Sequence, residues 1–202
     1  MHRALLLCEW FILFILTPII LWLEVIPIRP LWLMPIPLIY CLAVFFLTKM
    51  QHNEAAPQGA YKKTLLQAIP IMVVLVITAY LISPVNFFII PRKMPLLWAF
   101  ILILYPIISA LPQEFIYRQF YFERYNELFK GHNRIIWSSA ITFSWLHIFY
   151  HNWVAILFSF LGGVIFAHSY QRTRSLKLVW LQHSIYGLWI FTVGLGHFFF
   201  HQ

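Results

Sequence analysis

The chain has 202 residues, of which 62% are hydrophobic and only 10% are charged. This composition leaves too few polar side chains to cover a water-facing surface, which excludes an ordinary soluble domain. An aromatic share of 19% suits a lipid-facing surface with interfacial anchors. The net charge of +8 is divided among short loops between apolar runs, so it indicates membrane topology and no nucleic-acid partner.

Seven apolar segments are long enough, or nearly so, to cross a lipid bilayer, which takes about 20 residues. They are residues 10–25, 31–47, 64–82, 96–111, 135–150, 154–170 and 178–200. A charged but partly apolar stretch at residues 113–134 is expected to continue the fourth segment as an amphipathic interfacial helix. The sequence therefore predicts an all-α, polytopic transmembrane bundle of about seven to eight helices, with residues 1–202 as one membrane domain.

Basic residues are distributed unequally between the two sides of the predicted bundle. Ten of the 14 lie on the side of the amino terminus and three on the other side, with Arg118 set aside as intramembrane. Because Lys and Arg are enriched in cytoplasmic loops, this predicts a cytoplasmic amino terminus and a carboxyl terminus outside. The first segment has no small-residue cleavage site, so we expect it to stay as an anchor.

Four ionisable side chains are expected at membrane depth, where such groups are costly and usually face the interior of the bundle. Glu114 follows a long apolar run, and Arg118 lies four residues later on the same helical face. His147 and His183 lie in two further apolar segments. Each feature alone is often structural. Together the four supply a base, a cation and hydrogen-bond donors, which amide hydrolysis requires.

Further polar residues flank this cluster and form a predicted secondary site of Gln113, His151, Asn152 and Tyr186. His151 and Asn152 follow His147 closely and could line an entrance for water, or else form a solvated loop.

Other intramembrane proteases are excluded by the sequence, because it contains no His-Glu-x-x-His run, no Asp for an aspartyl dyad and no Gly-x-Ser motif. Cys8 and Cys41 lie far along the chain from the cluster, so a cysteine nucleophile has little support.

The four ionisable residues stand in three short motifs at intervals of about 30 residues. These are Gln-Glu-Phe-Ile-Tyr-Arg at 113–118, Phe-Ser-Trp-Leu-His at 143–147 and His-Ser-Ile-Tyr-Gly at 183–187. They resemble Glu-Glu-x-x-x-Arg, Phe-x-x-x-His and His-x-x-x-Asn/Asp of the CAAX-processing and bacteriocin-immunity (CPBP or Abi) family of intramembrane glutamic proteases. The resemblance covers about residues 112–196, after amino-terminal spans in residues 1–111.

The resemblance implies an intramembrane endopeptidase that hydrolyses a peptide bond in a membrane-associated protein or peptide. It implies Glu114 as the base, Arg118 as its electrostatic partner, and His147 and His183 as groups that position water or donate to the oxyanion. Two His and one Glu could bind zinc, but the family's glutamic mechanism implies no metal and no cofactor. It also implies a multi-pass protein of a bacterial inner membrane.

Two positions depart from the family pattern. Gln113 stands where the family has its first, water-activating acid, and Gly187 stands where it has an amide or an acid. Adjacent helical residues point about 100° apart, so Glu114 replaces the missing acid only on a rotated or locally unwound helix. The alternative function is therefore a non-catalytic relative that binds membrane peptides, such as a bacteriocin-immunity factor. A proton-coupled transporter is a third hypothesis, which no repeat or broken helix pair supports.

Reporter fusions test the predicted topology. A fusion in the loop from Lys49 to Lys63 should report the cytoplasm and a fusion after Gln202 the opposite compartment, because the basic residues orient the chain. Green fluorescent protein and alkaline phosphatase, which are active in opposite compartments, provide the measurement. If both fusions report the same compartment, the number of spans is wrong by one.

Overall fold

The computed structural model describes residues 2–24, 35–50 and 54–200. Parts of the first two predicted spans, part of the loop from Lys49 to Lys63, Arg29 and Gln202 lie outside these residues. Within them the chain forms helices joined by short turns, with no β-strand, which confirms the predicted all-α class.

Eight helices follow one another along the described ranges. Helix α1 covers residues 2–22 and includes a π-turn at Ile12–Leu16; the next are α2 (Pro35–Leu47), α3 (Ala60–Ile82) and the short α4 (Ile89–Lys93). The others are α5 (Pro95–Arg124), α6 (His132–Leu146), α7 (Trp153–Thr173) and α8 (Leu176–Val193). Turns of 3₁₀ helix at His147–Tyr150 and Gly196–Phe199 follow α6 and α8.

Four of these helices are long and apolar enough to cross a membrane: Arg3–Trp22 in α1, α3, α5 and α7. Their outer faces expose large apolar side chains, such as Val73, Ile77 and Leu81 along one side of α3. Such a surface is stable in lipid, where the helix satisfies its own backbone polar groups. The protein is therefore an integral membrane protein. The predicted spans 135–150 and 178–200 fall on α6 and α8, which are shorter or more polar.

Helix α5 is the longest of the four apolar helices, at 30 residues, and is locally unwound twice. A π-turn begins at Pro106, and a second one covers Phe115–Phe120. Pro106 and Pro112 have no N–H to donate to the helix, and wide turns are common at such positions. The predicted extension of this helix beyond residue 113 is confirmed as far as Arg124. Residues 113–122 are all buried between helices, so this part of the segment lacks the exposed polar face expected of an amphipathic interfacial helix.

Aromatic side chains bury this second half of α5. The ring of Phe14, on α1, lies 5.2, 5.0 and 5.7 Å from the rings of Tyr117, Tyr121 and Tyr125. Edge-to-face contacts of this kind add to the stabilisation from burial alone. They hold the amino-terminal helix against α5.

Tryptophan side chains join α8 to its neighbours through their indole N–H groups. Trp180 donates to the carbonyl oxygen of Pro106 at 2.6 Å, and Trp189 donates to that of Met72 at 2.9 Å. On α5, Trp98 donates to the hydroxyl of Thr192 at 3.0 Å. Interhelical hydrogen bonds stabilise helix pairs in a solvent that offers no alternative partner.

Helix α8 ends at Gly194, whose φ is 102°. A Cβ atom at this position would overlap the carbonyl oxygen of Asn86, in the turn before α4. Only glycine combines this backbone conformation with so close an approach.

We expect Gly194→Ala to lower the melting temperature in detergent far more than Gly59→Ala does. Gly59 has a φ of 77°, but a Cβ there meets no atom within 4 Å. Both variants carry the strain of a positive φ, of about 1 kcal/mol or more, so their difference isolates the overlap with Asn86. Equal melting temperatures would contradict the close packing of α8 on this turn.

Candidate active site

A cavity of about 1670 Å³ lies between the helices. It is larger than the 300–1,000 Å³ of a usual small-molecule pocket. Its wall is mostly apolar, but one region carries polar side chains from two helices, α5 and α8, and from the turn after α6: Tyr105, Gln113, His147, His183 and Tyr186. Ile36 and Phe100 also line it and are 65% and 53% exposed, so the cavity opens on the lipid-facing surface.

Glu114 and Arg118 lie behind this polar wall and are both fully buried. Glu114 Oε2 is 3.1 Å from Arg118 Nε, so the ion pair expected from their spacing is present. The N–H bond does not point at the oxygen, and the contact is therefore an ion pair without a well-aligned hydrogen bond. Each charge is tolerated at this depth only because the other is beside it.

Three groups from α5 and α6 surround the guanidinium of Arg118. Its Nη1 donates to the Ser139 hydroxyl at 2.6 Å and to the Tyr117 carbonyl oxygen at 3.1 Å. Its Cζ lies 4.9 Å from the centroid of the Phe143 ring, at the distance of a cation–π contact. Ser139 and Phe143 lie four residues apart on one face of α6, and His147 follows at the same spacing, directly after the helix ends.

His183 links the buried carboxylate to the cavity. Its Nδ1 lies 2.8 Å from Glu114 Oε1, and a carboxylate can only accept, so Nδ1 is the protonated nitrogen. In the neutral ring Nε2 is then an acceptor, and the Tyr105 hydroxyl, 2.9 Å away, donates to it. The ring stacks on Phe166 with centroids 4.8 Å apart. These contacts fix both the tautomer and the orientation of the imidazole.

His147 begins the 3₁₀ turn after α6 and also lines the cavity. Its Nδ1 lies 2.8 Å from the Phe143 carbonyl oxygen and donates to it, which makes Nε2 the acceptor in the neutral ring. The Phe143 ring lies 5.0 Å from His147 and 5.7 Å from His183, between centroids. The two imidazoles therefore flank one phenyl ring.

Gln113 lies on the cavity wall, and Glu114 does not. Gln113 Nε2 donates to the Ser109 hydroxyl at 3.0 Å, while its buried Oε1 has no hydrogen-bond partner among the described residues. The π-turns before Gln113 and after Glu114 provide the local unwinding that Glu114 would need in order to replace the missing acid. They do not turn the Glu114 carboxylate towards the cavity.

The rest of the predicted secondary site divides into two groups. Tyr186 lines the cavity, and its ring stacks on Phe166. His151 instead stacks on Trp22, at the end of α1. Asn152 caps α7, where its Oδ1 accepts from the Ala155 N–H at 2.8 Å. The structure thus brings Gln113 and Tyr186 to the main cluster and leaves His151 and Asn152 outside the cavity lining.

Two polar contacts of the site were missed in the sequence. Ser139 could have been found, because it precedes Phe143 and His147 at helical spacing. Tyr105 had no such signal, since a tyrosine in an apolar helix is typical of an interfacial belt. Within the described ranges, no three His, Cys or Glu side chains are grouped so that they could hold a metal ion.

Residues 95–189 match the family model described as Type II CAAX prenyl endopeptidase Rce1-like. This confirms the resemblance to CAAX-processing proteases and supports, in general terms, an intramembrane endopeptidase of that type. The match begins with α5, ahead of the predicted motif region at 112–196, and therefore includes Tyr105. Comparisons with curated proteins and with solved structures found no match.

We expect Glu114→Gln to destabilise the protein by about 3–5 kcal/mol, because it leaves the buried charge of Arg118 uncompensated. Glu123→Gln is the matched control: Glu123 is also 3.1 Å from an arginine, Arg174, but both partners are partly exposed. Glu123→Gln should lower the free energy of unfolding by no more than about 1 kcal/mol. Thermal unfolding in one detergent compares the two variants. Equal effects would mean that the two pairs lie in similar surroundings.

Proposed function

We propose that residues 95–189, as an Rce1-like CAAX-endopeptidase domain, hydrolyse a peptide bond of a membrane-associated protein or peptide in the cavity. The observation that carries this proposal is the hydrogen bond from His183, which lines the cavity, to Glu114, which lies behind the cavity wall. A carboxylate that holds one imidazole nitrogen leaves the other nitrogen oriented to act as a general base.

The general base is then the Glu114–His183 pair acting as a unit. Glu114 was predicted as the base, but both its oxygens have partners and its carboxylate lies behind the cavity wall. We therefore propose that Glu114 acts through His183, whose Nε2 accepts the proton. Arg118 supports this role, since its guanidinium lies 3.1 Å from Glu114 Oε2 and offsets the negative charge of the carboxylate.

In the proposed step, a water molecule attacks the carbonyl carbon of the peptide bond, and its proton passes to His183 Nε2. The electron pair of the C=O bond moves to oxygen and forms a tetrahedral oxyanion. When the intermediate collapses, the C–N bond breaks and His183 returns the proton to the leaving nitrogen. His147 Nε2 accepts a hydrogen bond from the attacking water and orients it.

The cavity also favours a substrate that is held in the membrane. Its opening lies among exposed apolar side chains, so a segment anchored in lipid can enter without crossing water. Its volume of about 1670 Å³ is large enough for several side chains or for a lipid group attached to the peptide. A cytoplasmic amino terminus and a bacterial inner membrane stay predictions from the sequence.

One observation favours the alternative, a protein that binds membrane peptides without cleaving them. The polar wall carries Gln113 where an acid would have faced the cavity, and an amide accepts no proton at neutral pH. Oε1 of Gln113 has no hydrogen-bond partner in the part of the chain that the structure describes, and it could accept a hydrogen bond from a bound peptide N–H. In that case the cluster around Glu114 serves only the structure.

A cleavage assay separates the two functions. We expect His183→Ala and Glu114→Gln each to lower kcat by about 100- to 10,000-fold, the usual contribution of a general base. The double variant should lose little more than either single one, because residues that act as a unit are not additive. The substrate is an internally quenched peptide with a prenylated CAAX terminus, in phospholipid vesicles, beside the same peptide without the prenyl group.

His132→Ala is the control for this assay, since His132 is exposed and does not line the cavity. Folded protein is checked by size-exclusion chromatography, so that a loss of rate is not a loss of fold. Full turnover by folded His183→Ala would overturn the proposed base. Saturable binding of either peptide by the wild-type protein without cleavage would establish the binding function instead.

A further inference from the structure

Tyr105 is a half-buried polar residue that the proposed step does not use, although it contacts the base directly. Its hydroxyl oxygen is 2.9 Å from His183 Nε2, and the residue lines the cavity. Its ring is held edge-on by His183, at 6.0 Å between centroids, and by Phe191, at 5.4 Å. The hydroxyl is therefore placed by packing at the polar end of the cavity.

Gly187 provides the space that the Tyr105 hydroxyl occupies. A Cβ atom built on Gly187 would overlap the hydroxyl oxygen and two carbons of the Tyr105 ring. A tyrosine at 105 in this position and a side chain at 187 thus exclude each other. Gly187 is also the residue at which the third motif departs from the amide or acid of the family it resembles. The hydroxyl stands where that side chain would begin.

We propose that Tyr105 is a catalytic residue whose hydroxyl donates to the carbonyl oxygen of the substrate as it becomes an oxyanion. The inference rests on the proposed function, because it assigns a donor to that hydrolysis. In this chain α5 supplies, through Tyr105, the polar group that residue 187 lacks.

The hydrogen bond to His183 gives this donor a second effect. A tyrosine hydroxyl has one proton, which in the structure is donated to Nε2. When a peptide carbonyl enters, rotation about the C–O bond of Tyr105 redirects that proton to the carbonyl oxygen. The same rotation frees the lone pair of Nε2 to accept the proton of the attacking water. The base is thus exposed only when a carbonyl is in place.

The step balances without any further reactant. Water supplies the oxygen that bonds to the carbonyl carbon and the proton that His183 takes up. The hydroxyl of Tyr105 keeps its own proton throughout and only donates a hydrogen bond to the oxyanion. On collapse the C–N bond breaks, the proton moves from His183 to nitrogen, and the Tyr105 hydroxyl can return to Nε2.

The first experiment is Tyr105→Phe, which keeps the ring over Gly187 and removes only the donor. Removal of one oxyanion donor usually costs about 100- to 1,000-fold in kcat, and we expect that loss with little change in KM. Tyr80→Phe, on the lipid-facing side of α3, is the control and should cleave the prenylated peptide at the wild-type rate. Full activity of Tyr105→Phe, with His183→Ala inactive, would overturn the inference and leave the proposed function intact.

The second experiment moves the polar group from one helix to the other. Tyr105→Ala opens the space above Gly187, and Gly187→Asn fills it with an amide. We expect the double variant to be more active than Tyr105→Ala, although Gly187→Asn alone should fail to fold around the intact Tyr105 ring. If the folded double variant gains nothing over Tyr105→Ala, the two positions do not share one role.

A third measurement does not depend on turnover. Diethylpyrocarbonate modifies unprotonated imidazole nitrogens, and in the structure Nε2 of His183 is covered by the Tyr105 hydroxyl. Mass spectrometry should show faster modification of His183 in Tyr105→Phe than in the wild-type protein. Equal rates would overturn the hydrogen bond on which the inference depends. This result is decisive even if the wild-type protein cleaves neither peptide, which would contradict the proposed function alone.

Discussion

The free-energy cost of placing charge inside an apolar bundle governs the arrangement of this protein. Glu114 and Arg118 are fully buried among helices whose outer faces suit lipid. A lone carboxylate or guanidinium there would be too costly to retain. The ion pair reduces this cost, and the Ser139 hydroxyl and the His183 imidazole provide further partners for its polar atoms. The core of the bundle is therefore organised around the Glu114–Arg118 pair, and the candidate active site lies between this pair and the cavity.

The sequence allowed the ionised members of the site to be predicted, because charged and histidine side chains are rare enough in apolar segments to be noticed individually. It did not allow the positions of these residues relative to the cavity to be predicted. Which of Gln113 and Glu114 lies on the cavity wall depends on the two π-turns of α5, and hydrophobic periodicity does not reveal such turns. The contact of Tyr105 with Gly187 depends on how α5 packs against α8. No local pattern in the sequence reveals that packing, because the two residues lie far apart along the chain.

The fold was predictable in class and largely in the positions of its helices, since apolar length is the strongest signal in a membrane sequence. Burial was less predictable. Residues 113–122 carry charged and aromatic side chains that suit an interface by composition, yet they are buried. Phe14 of α1 packs among the tyrosines of α5, and Ser139 of α6 accepts a hydrogen bond from Arg118. The partners that make this burial possible come from distant parts of the chain.

The opening of the cavity among exposed apolar side chains determines how the concentration of a ligand should be counted. For a molecule that reaches the polar wall from the bilayer, the relevant concentration is its amount per lipid molecule and not its amount per litre of solution. Occupancy of the site then follows the mole fraction in the membrane, so that adding lipid at a constant amount of ligand dilutes it, as adding water dilutes a soluble substrate. The search is also two-dimensional, and any anchor that confines a peptide to the surface raises its effective concentration at the site without a single contact to the protein.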